Sequence, residues 1–257
     1  MEMFASLARW IAEQPMAVGG TWAVIGSAVI GTLGALVATY VIGPDERDVS
    51  LTGLKLEVLG QIFSGLLVFV LVHGAMLQYD LRTLLDLEGR LLTSLHFTAR
   101  RADPEGLGTL VERYARMVVE RELPAIAGGR TDPATQGAFD EMLVTMAAAA
   151  AAPVMAAADN TGETLAQLVD VRAKRLARSI PDPLMGYAWL GVAFATATTM
   201  AFASLVTGPS LLVQMLLSTM MSLAAVTIAY LAILMNHPWS GDMSISAWTI
   251  MDILRWG

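Results

Sequence analysis

Four stretches free of Asp, Glu, Lys and Arg set the pattern of this chain: residues 21–42, 58–77, 185–206 and 211–235, which are 22, 20, 22 and 25 residues long. At about 1.5 Å per residue, a helix of that length covers roughly 30 Å, the thickness of a bilayer's hydrocarbon core. Only a helix satisfies its own backbone over that distance without water, so the pattern predicts four membrane-spanning helices. They come as two pairs, separated by a polar segment of 107 residues, 78–184.

Within that segment the apolar positions recur at helical spacing, and no sustained period-two alternation suggests a strand. Tyr79 to Arg101 continues the second span as one long helix. Asp103 and Pro104 open a helix to about Ile126, which Gly128 and Gly129 end. Asp132 and Pro133 open a third, carried through the Ala147–Ala152 run of strong helix formers to Pro153. A fourth runs from about Thr161 to Ile180 and stops at Pro181 and Pro183. The predicted fold is therefore all-α: a polytopic membrane protein with four transmembrane helices, two plus two, and a cytoplasmic helical bundle between the pairs. Its domains are 1–78, 79–184 and 185–257. Phe4, Leu7, Ala8 and Ile11, with Trp10 beside them, share a helical face suited to the headgroup layer, and Ala247, Ile250, Met251 and Leu254 repeat the spacing near Trp248 and Trp256.

The spans carry small residues every four positions: Ser27, Gly31, Ala35 and Thr39 in the first, Gly191, Ala195, Thr199 and Ala203 in the third. That spacing lets helix backbones approach closely in lipid. Gln214, Ser218 and Ser222 form a polar stripe on the fourth, read as interhelical hydrogen bonding, with a water- or ion-lining role as the alternative.

Two charges interrupt apolar stripes. Glu88 sits among Leu81, Leu84, Leu85, Leu91, Leu92 and Leu95, and Arg172 among Leu165, Leu168, Val169, Leu176 and Ile180. A buried charge needs a partner, so Glu88 is expected to pair with Arg172, with Arg175 as second choice. His73 is the one ionisable side chain inside a span, which makes it a functional candidate by default; a satisfied neutral histidine is the alternative.

Charge placement sets orientation. Of 16 Lys and Arg, 12 lie in the polar segment; with Arg9 and Arg255 this puts 14 on one side, against Arg47 and Lys55 on the other. The excess marks the cytoplasmic face, so both termini and the central domain are expected inside the cell's inner membrane. The net charge of −7 argues against nucleic acid. With no Cys there is no disulfide or thiol nucleophile. P-loop, H-E-x-x-H and G-x-S-x-G patterns are missing, and His73, His96 and His237 are far apart in sequence, so no enzyme activity, metal or cofactor is expected.

The segment closing the fourth span is Asn236, His237, Pro238, Trp239, Ser240 and Gly241, followed by Ile245 and Ser246. It resembles a bestrophin-like family of bacterial membrane proteins, whose pattern there is similar to Asp-Arg-Pro-Phe-Ser-Gly, then an apolar residue and Ser-Pro. Asn236 and His237 stand in place of the acid–base pair, Trp239 in place of Phe and Ala247 in place of the second Pro. Glu122-Leu123-Pro124 looks like the family's acidic residue before Trp-Pro, and Glu88, Arg172 and Arg175 fall where it tends to keep Glu and an Arg-rich run. The resemblance implies the two-plus-two architecture and a homo-oligomeric channel for chloride or another small anion, with the second span lining the pore. Gln61, Ser64, Val68, Val72 and His73 would then lie nearest the path. The competing class is a non-catalytic membrane scaffold, sensor or partner subunit acting through its cytoplasmic bundle.

Overall fold

The structure, a computed structural model, describes residues 2–42, 49–103, 106–150, 160–180, 183–205 and 210–256. Every element is a helix: α1 (Glu2–Glu13), α2 (Met16–Val37) with a wider π-type turn at Ala38–Ile42, α3 (Val49–Ala102), α4 (Leu107–Met117), a second such turn at Val118–Glu122, α5 (Leu123–Ala127), α6 (Pro133–Ala150), α7 (Thr161–Ser179), α8 (Pro183–Ser204), α9 (Leu211–Met235) and α10 (Trp248–Trp256). Three helices among the described residues are long and apolar enough to cross a membrane, within Met16–Val41, Gly60–Ala102 and Leu211–Met235. The third expected span corresponds to α8. Contacts divide the chain into two units, Met1–Met76 with Asp182–Met243, and Leu77–Pro181 with Ser244–Gly257.

In the first unit α2 packs along α9, and small residues explain how. A Cβ on Gly31 would sit 2.6 Å from the Thr219 Cα, and one on Gly34 would run into the Ser204 side chain. Ser27, Gly31 and Ala35, the stripe read from sequence, are buried there. Polar groups close the same interface. Thr39 donates to its own helix at Ala35 O (2.8 Å) and to Gln214 Oε1 (3.3 Å), while Gln214 Nε2 donates to Ser204 O at 3.3 Å. Thr32 and Thr219 hydroxyls meet at 3.4 Å. In hydrocarbon, where apolar burial gives helices no reason to associate, close packing plus such bonds hold them together. A second cluster joins α3, α8 and α9 through Phe63, Leu67, Val70, Val192, Ala225 and Ala232.

The second unit is a water-type bundle with a real apolar core. Leu81, Leu85, Leu92 and Leu95 of α3 are buried with Val111 and Tyr114 of α4, Met142 and Met146 of α6, and Leu168 of α7. Asp103 accepts the Gly106 N–H at 3.1 Å just ahead of α4, which begins at Leu107; the expected start at Pro104 lies outside the described residues. The helix expected to run unbroken to Ile126 instead widens at Val118–Glu122. Pro124 is the local cause: it has no N–H to return to the turn before it, and its ring crowds that turn's carbonyl. Gly129, at φ 69°, then ends α5. The proline stops at Pro153 and Pro181 and the end of the alanine run lie outside the described residues.

The sequence reading carried the last domain to residue 257 and gave 247–254 to the membrane interface. The structure groups 244–257 with the central bundle instead. Ala247, Ile250 and Ile253 are buried, because Gly89 leaves a notch on α3 that Thr249 fills; a Cβ on Gly89 would lie 2.6 Å from the Thr249 Cβ. Thr249 also donates to Asp86 at 3.2 Å. The amphipathic face buries against protein, and Trp248 remains exposed.

Candidate functional site

Two constellations contain the residues singled out by sequence, one in each unit. In the first unit the central feature is α3, whose two sides differ. At about 100° per residue, Phe63, Leu67, Val70 and Gly74 fall in one arc of roughly 60°, and Gln61, Ser64, Val68 and Val72 in another, centred roughly 130° away. The first arc is buried and the second is exposed. His73 belongs to neither: it is half-buried, like Leu66, on a third side where Ile62 and Phe69 are exposed, its ring stacked on Phe69 at 6.4 Å between centroids.

The segment closing α9 holds that buried arc in place. Asn236 caps the helix and uses both N–H bonds of its amide, to Ala232 O on its own helix (2.9 Å) and to Val70 O of α3 (3.2 Å). Gly74 makes room for it, since a Cβ there would lie 2.7 Å from Asn236 Nδ2. His237 Nδ1 is 2.8 Å from Ile233 O; burial foremost lowers its pKa, with Arg9 adding to the effect and the Ile233 bond and Glu13 opposing it. Pro238 is buried, and a turn returns the Ser240 N–H to His237 O at 3.2 Å. Trp239 is half-buried beside it. Gly241 has φ 71° and sits so close to the Ala12 carbonyl that no Cβ fits. Asp242 then accepts the Met16 N–H at 2.7 Å, placing a carboxylate on the N-terminus of α2. Residues 236–242 thus tie α9 to α3, α1 and α2.

The second unit contains a buried chain of charges. Arg175 Nε donates to Glu88 Oε2 at 2.6 Å and its Nη2 to Glu88 Oε1 at 3.3 Å; the same Nη2 donates to Glu122. Arg172 Nη2 donates to Glu122 Oε2 at 2.5 Å, and its Nη1 to Gln136 Oε1 at 2.6 Å. The Tyr114 hydroxyl completes the set, donating to Glu88 Oε1 at 2.7 Å. The Arg172 guanidinium also lies over the Phe139 ring, 4.4 Å from its centroid. Glu88, Glu122, Arg172 and Arg175 are all buried.

The order along this chain is Glu88, Arg175, Glu122, Arg172, so opposite charges alternate and cancel. Burial opposes the positive charge of both arginines, but the groups around them outweigh it and their pKa values rise; both stay charged. Burial first, then the Glu88 carboxylate, pushes the Tyr114 hydroxyl well above its usual value, so it remains a donor. The cluster is neutral and has no spare charge for a ligand, although two buried donors, Arg172 Nε and Arg175 Nη1, have no hydrogen-bond partner among the described residues. It joins α3, α6 and α7 to the segment that begins at α4.

Sequence reading put Arg172 first opposite Glu88. The structure pairs Glu88 with Arg175 and gives Arg172 to Glu122. Arg172 and Arg175 are three residues apart and share a face, so periodicity could not rank them. Glu122 carried a legible signal that periodicity did not use: it follows Val111, Ala115 and Val118 at intervals of four, three and four on a buried stripe.

The Bestrophin-like domain family matches residues 25–249. Nothing among curated proteins matches. Among solved structures, a membrane protein crystallised as a proline-to-alanine variant is similar over 90% of this chain and 96% of its own, with a TM-score of 0.65 and 15% identity. A bacterial bestrophin homologue from Klebsiella pneumoniae, crystallised as a tryptophan-to-alanine variant, is similar over 90% of this chain and 94% of its own, with a TM-score of 0.59 and 15% identity. At that identity the likeness is one of fold, while the family match spans most of the sequence: this chain belongs to the Bestrophin-like family.

Proposed function

We propose that the chain is one subunit of a homo-oligomeric channel for small anions, chloride first, in the bacterial inner membrane. Four helices cross the bilayer, α8 among them, and both termini and the 79–184 bundle lie in the cytoplasm. Membership of a family of channel-type membrane proteins sets the class. The observation that carries the reading is the exposed arc of α3. Gln61 and Ser64 lie within a membrane-spanning stretch, yet no helix among the described residues covers them. Polar side chains turned to lipid would go unsatisfied, whereas copies arranged about an axis would surround them with water. Val68 and Val72 would form the apolar constriction further along the same face, with His73 off that face.

Purified protein in detergent should give a mass equal to several subunits with cyclic symmetry. In liposomes it should pass chloride, with Gln61→Leu lowering the flux. A symmetric oligomer that passes no ion would remove the channel reading and leave the scaffold or partner subunit, for which the exposed Val144 of α6 and Val169 of α7 offer an apolar surface.

A further inference from the structure

The two arcs of α3 are linked by rigid geometry: whatever fixes the rotation of the helix about its axis on one side fixes what is presented on the other. We propose that Asn236 is that fixing group, a positioning residue acting through Val70 and Gly74 to turn the Gln61, Ser64, Val68 and Val72 arc away from the protein. The inference rests on the channel reading for its functional consequence, but not for the contact itself.

Three observations converge on Asn236. Its amide reaches the Val70 carbonyl in the middle of the buried arc, where α3 packs in an apolar cluster with Val192, Ala225 and Ala232. Apolar contacts are non-directional and tolerate rotation; a hydrogen bond to one carbonyl does not. Gly74, one turn further on, is a notch cut to the amide's size. Asn236 Nδ2 would lie 2.7 Å, its Cγ 3.1 Å and the Met235 carbonyl carbon 3.1 Å from a Cβ at that position. A helix turned by one residue position would bring Gly74 out of register and leave the amide facing a side chain. Finally, the second N–H of the amide is tied to Ala232 O, so Asn236 is itself held on α9 and cannot follow α3 if it turns.

The chemistry at this position is specific for an amide. Val70 O and Ala232 O are both acceptors, so the residue between them must donate twice. A carboxylate of the same shape, the Asp of the related motif, donates to neither and sets a negative charge against two carbonyl oxygens. Once protonated it recovers one donor. Asn236→Asp therefore converts a permanent clamp into one that closes only in acid, a behaviour that a loss of packing alone would not produce.

The chain has no cysteine, so single cysteines introduced at each position from 60 to 76 can be spin-labelled without background in full-length protein in liposomes. Power saturation with oxygen and with a water-soluble nickel chelate reads each position's exposure to lipid and to water. With Asn236 intact, exposure should oscillate with the helical period of about 3.6 residues, high across the exposed side at 61, 62, 64, 68, 69 and 72 and lowest at 63, 67 and 70. Asn236→Leu should rotate or flatten the oscillation at every pH. Asn236→Asp should do so at neutral pH and regain the native phase on acidification. An unchanged phase in both variants overturns the proposal, as does a phase in Asn236→Asp that acid fails to restore. Should Asn236→Leu not fold, the acid and neutral scans of Asn236→Asp decide alone. The channel reading fails separately: maxima reached by oxygen but closed to the nickel chelate would make the exposed arc lipid-facing while the clamp stands.

Discussion

Arg175 grips Glu88 through two nitrogens, Nε at 2.6 Å and Nη2 at 3.3 Å, although neither side chain has any exposure to solvent. Taking two such charges out of water costs several kcal/mol per ion, so the pair is tolerable only with every strong interaction made. Here the surrounding cluster supplies them everywhere except at Arg175 Nη1, which has no partner among the described residues. The forked guanidinium of Arg175 bridges Glu88 and Glu122, and Tyr114 occupies the remaining direction at Glu88. A point-charge ammonium could not do this, which makes Arg175→Lys far from conservative.

Breaking one partner should therefore be severe. Glu88→Gln is expected to destabilise the central bundle by about 3–5 kcal/mol, because it leaves Arg175 under-compensated in a buried site. Urea unfolding in detergent checks this. A double-mutant cycle should place Glu88–Arg175 coupling near the top of the roughly 0.5–3 kcal/mol range for contacting residues, and Glu88–Arg172 near the bottom. Equal couplings would mean that the cluster is shared rather than ordered as described.

His96 gives the bundle a pH dependence of known sign. It is almost fully buried, with Nε2 3.7 Å from Glu112 Oε1, the same oxygen that Arg100 approaches at 3.9 Å. Burial lowers its pKa below 6.5; Glu112 opposes the shift and Arg100 adds to it. The folded state thus prefers neutral imidazole more than the unfolded chain does. Its contribution is complete above pH 6.5 and is lost as pH falls from there through the lower folded value. The midpoint of thermal unfolding, followed between about pH 5 and 8, should decline on the acid side, and His96→Gln should flatten that decline. An unchanged slope in the variant would assign the acid sensitivity to other groups.

Gly89 is the second notch on α3, and it docks α10. A methyl group there would meet the Thr249 Cβ at 2.6 Å and its Oγ1 at 2.7 Å, with backbone close behind at 2.9 Å. Overpacking of this kind costs about 1–3 kcal/mol, set against the burial of Ala247, Ile250 and Ile253 that anchors α10. Gly89→Ala should release the C-terminal helix, seen as new protease cleavage after residue 243. Thr249→Gly in the same background should partly restore protection by removing the Cβ and Oγ1 atoms of the clash.

Much of this fold was readable because helical membrane proteins expose their organisation in one dimension. Runs without charge mark the spanning helices, and glycines and prolines mark the joints: Asp103 lies just ahead of the α4–α5 segment, and Gly129 ends it as its chemistry dictates. What sequence could not rank were choices among residues on one face, such as Arg172 against Arg175, which only the position of Glu122 resolves. Nor could it separate a helix that buries its apolar face in lipid from one that buries it in protein. Residues 247–254 show the same periodicity either way, and the deciding residue, Gly89, lies 160 positions before Thr249. The arcs of α3 follow from periodicity alone; which one faces inward depends on Asn236 and Gly74, whose meeting no local pattern announces.

The proposed orientation has a direct chemical test, because the chain has no native cysteine to mask. Asp103→Cys should resist an impermeant thiol reagent in whole cells and react after lysis. Asp48→Cys should react from outside. The reverse pattern would invert the topology and place the 14 Lys and Arg of the termini and polar segment outside.

His73 offers the sharpest test of conduction. If copies of α3 surround a path, this residue lies off the exposed arc, roughly 140° from its centre at about 100° per residue, so it acts on the path through the field of its charge rather than by lining it. Protonation would add a positive charge per subunit near a narrow apolar passage, which favours anions over cations. Chloride flux into liposomes should therefore rise as the pH is lowered from about 8 to 5. His73→Ala should flatten that rise without abolishing flux, because Gln61, Ser64, Val68 and Val72 remain in place. His73→Arg should hold the high-flux state at every pH. Retention of the full pH response in His73→Ala would place the sensor elsewhere, and His96, with its buried ring between Glu112 and Arg100, would be the next residue to replace.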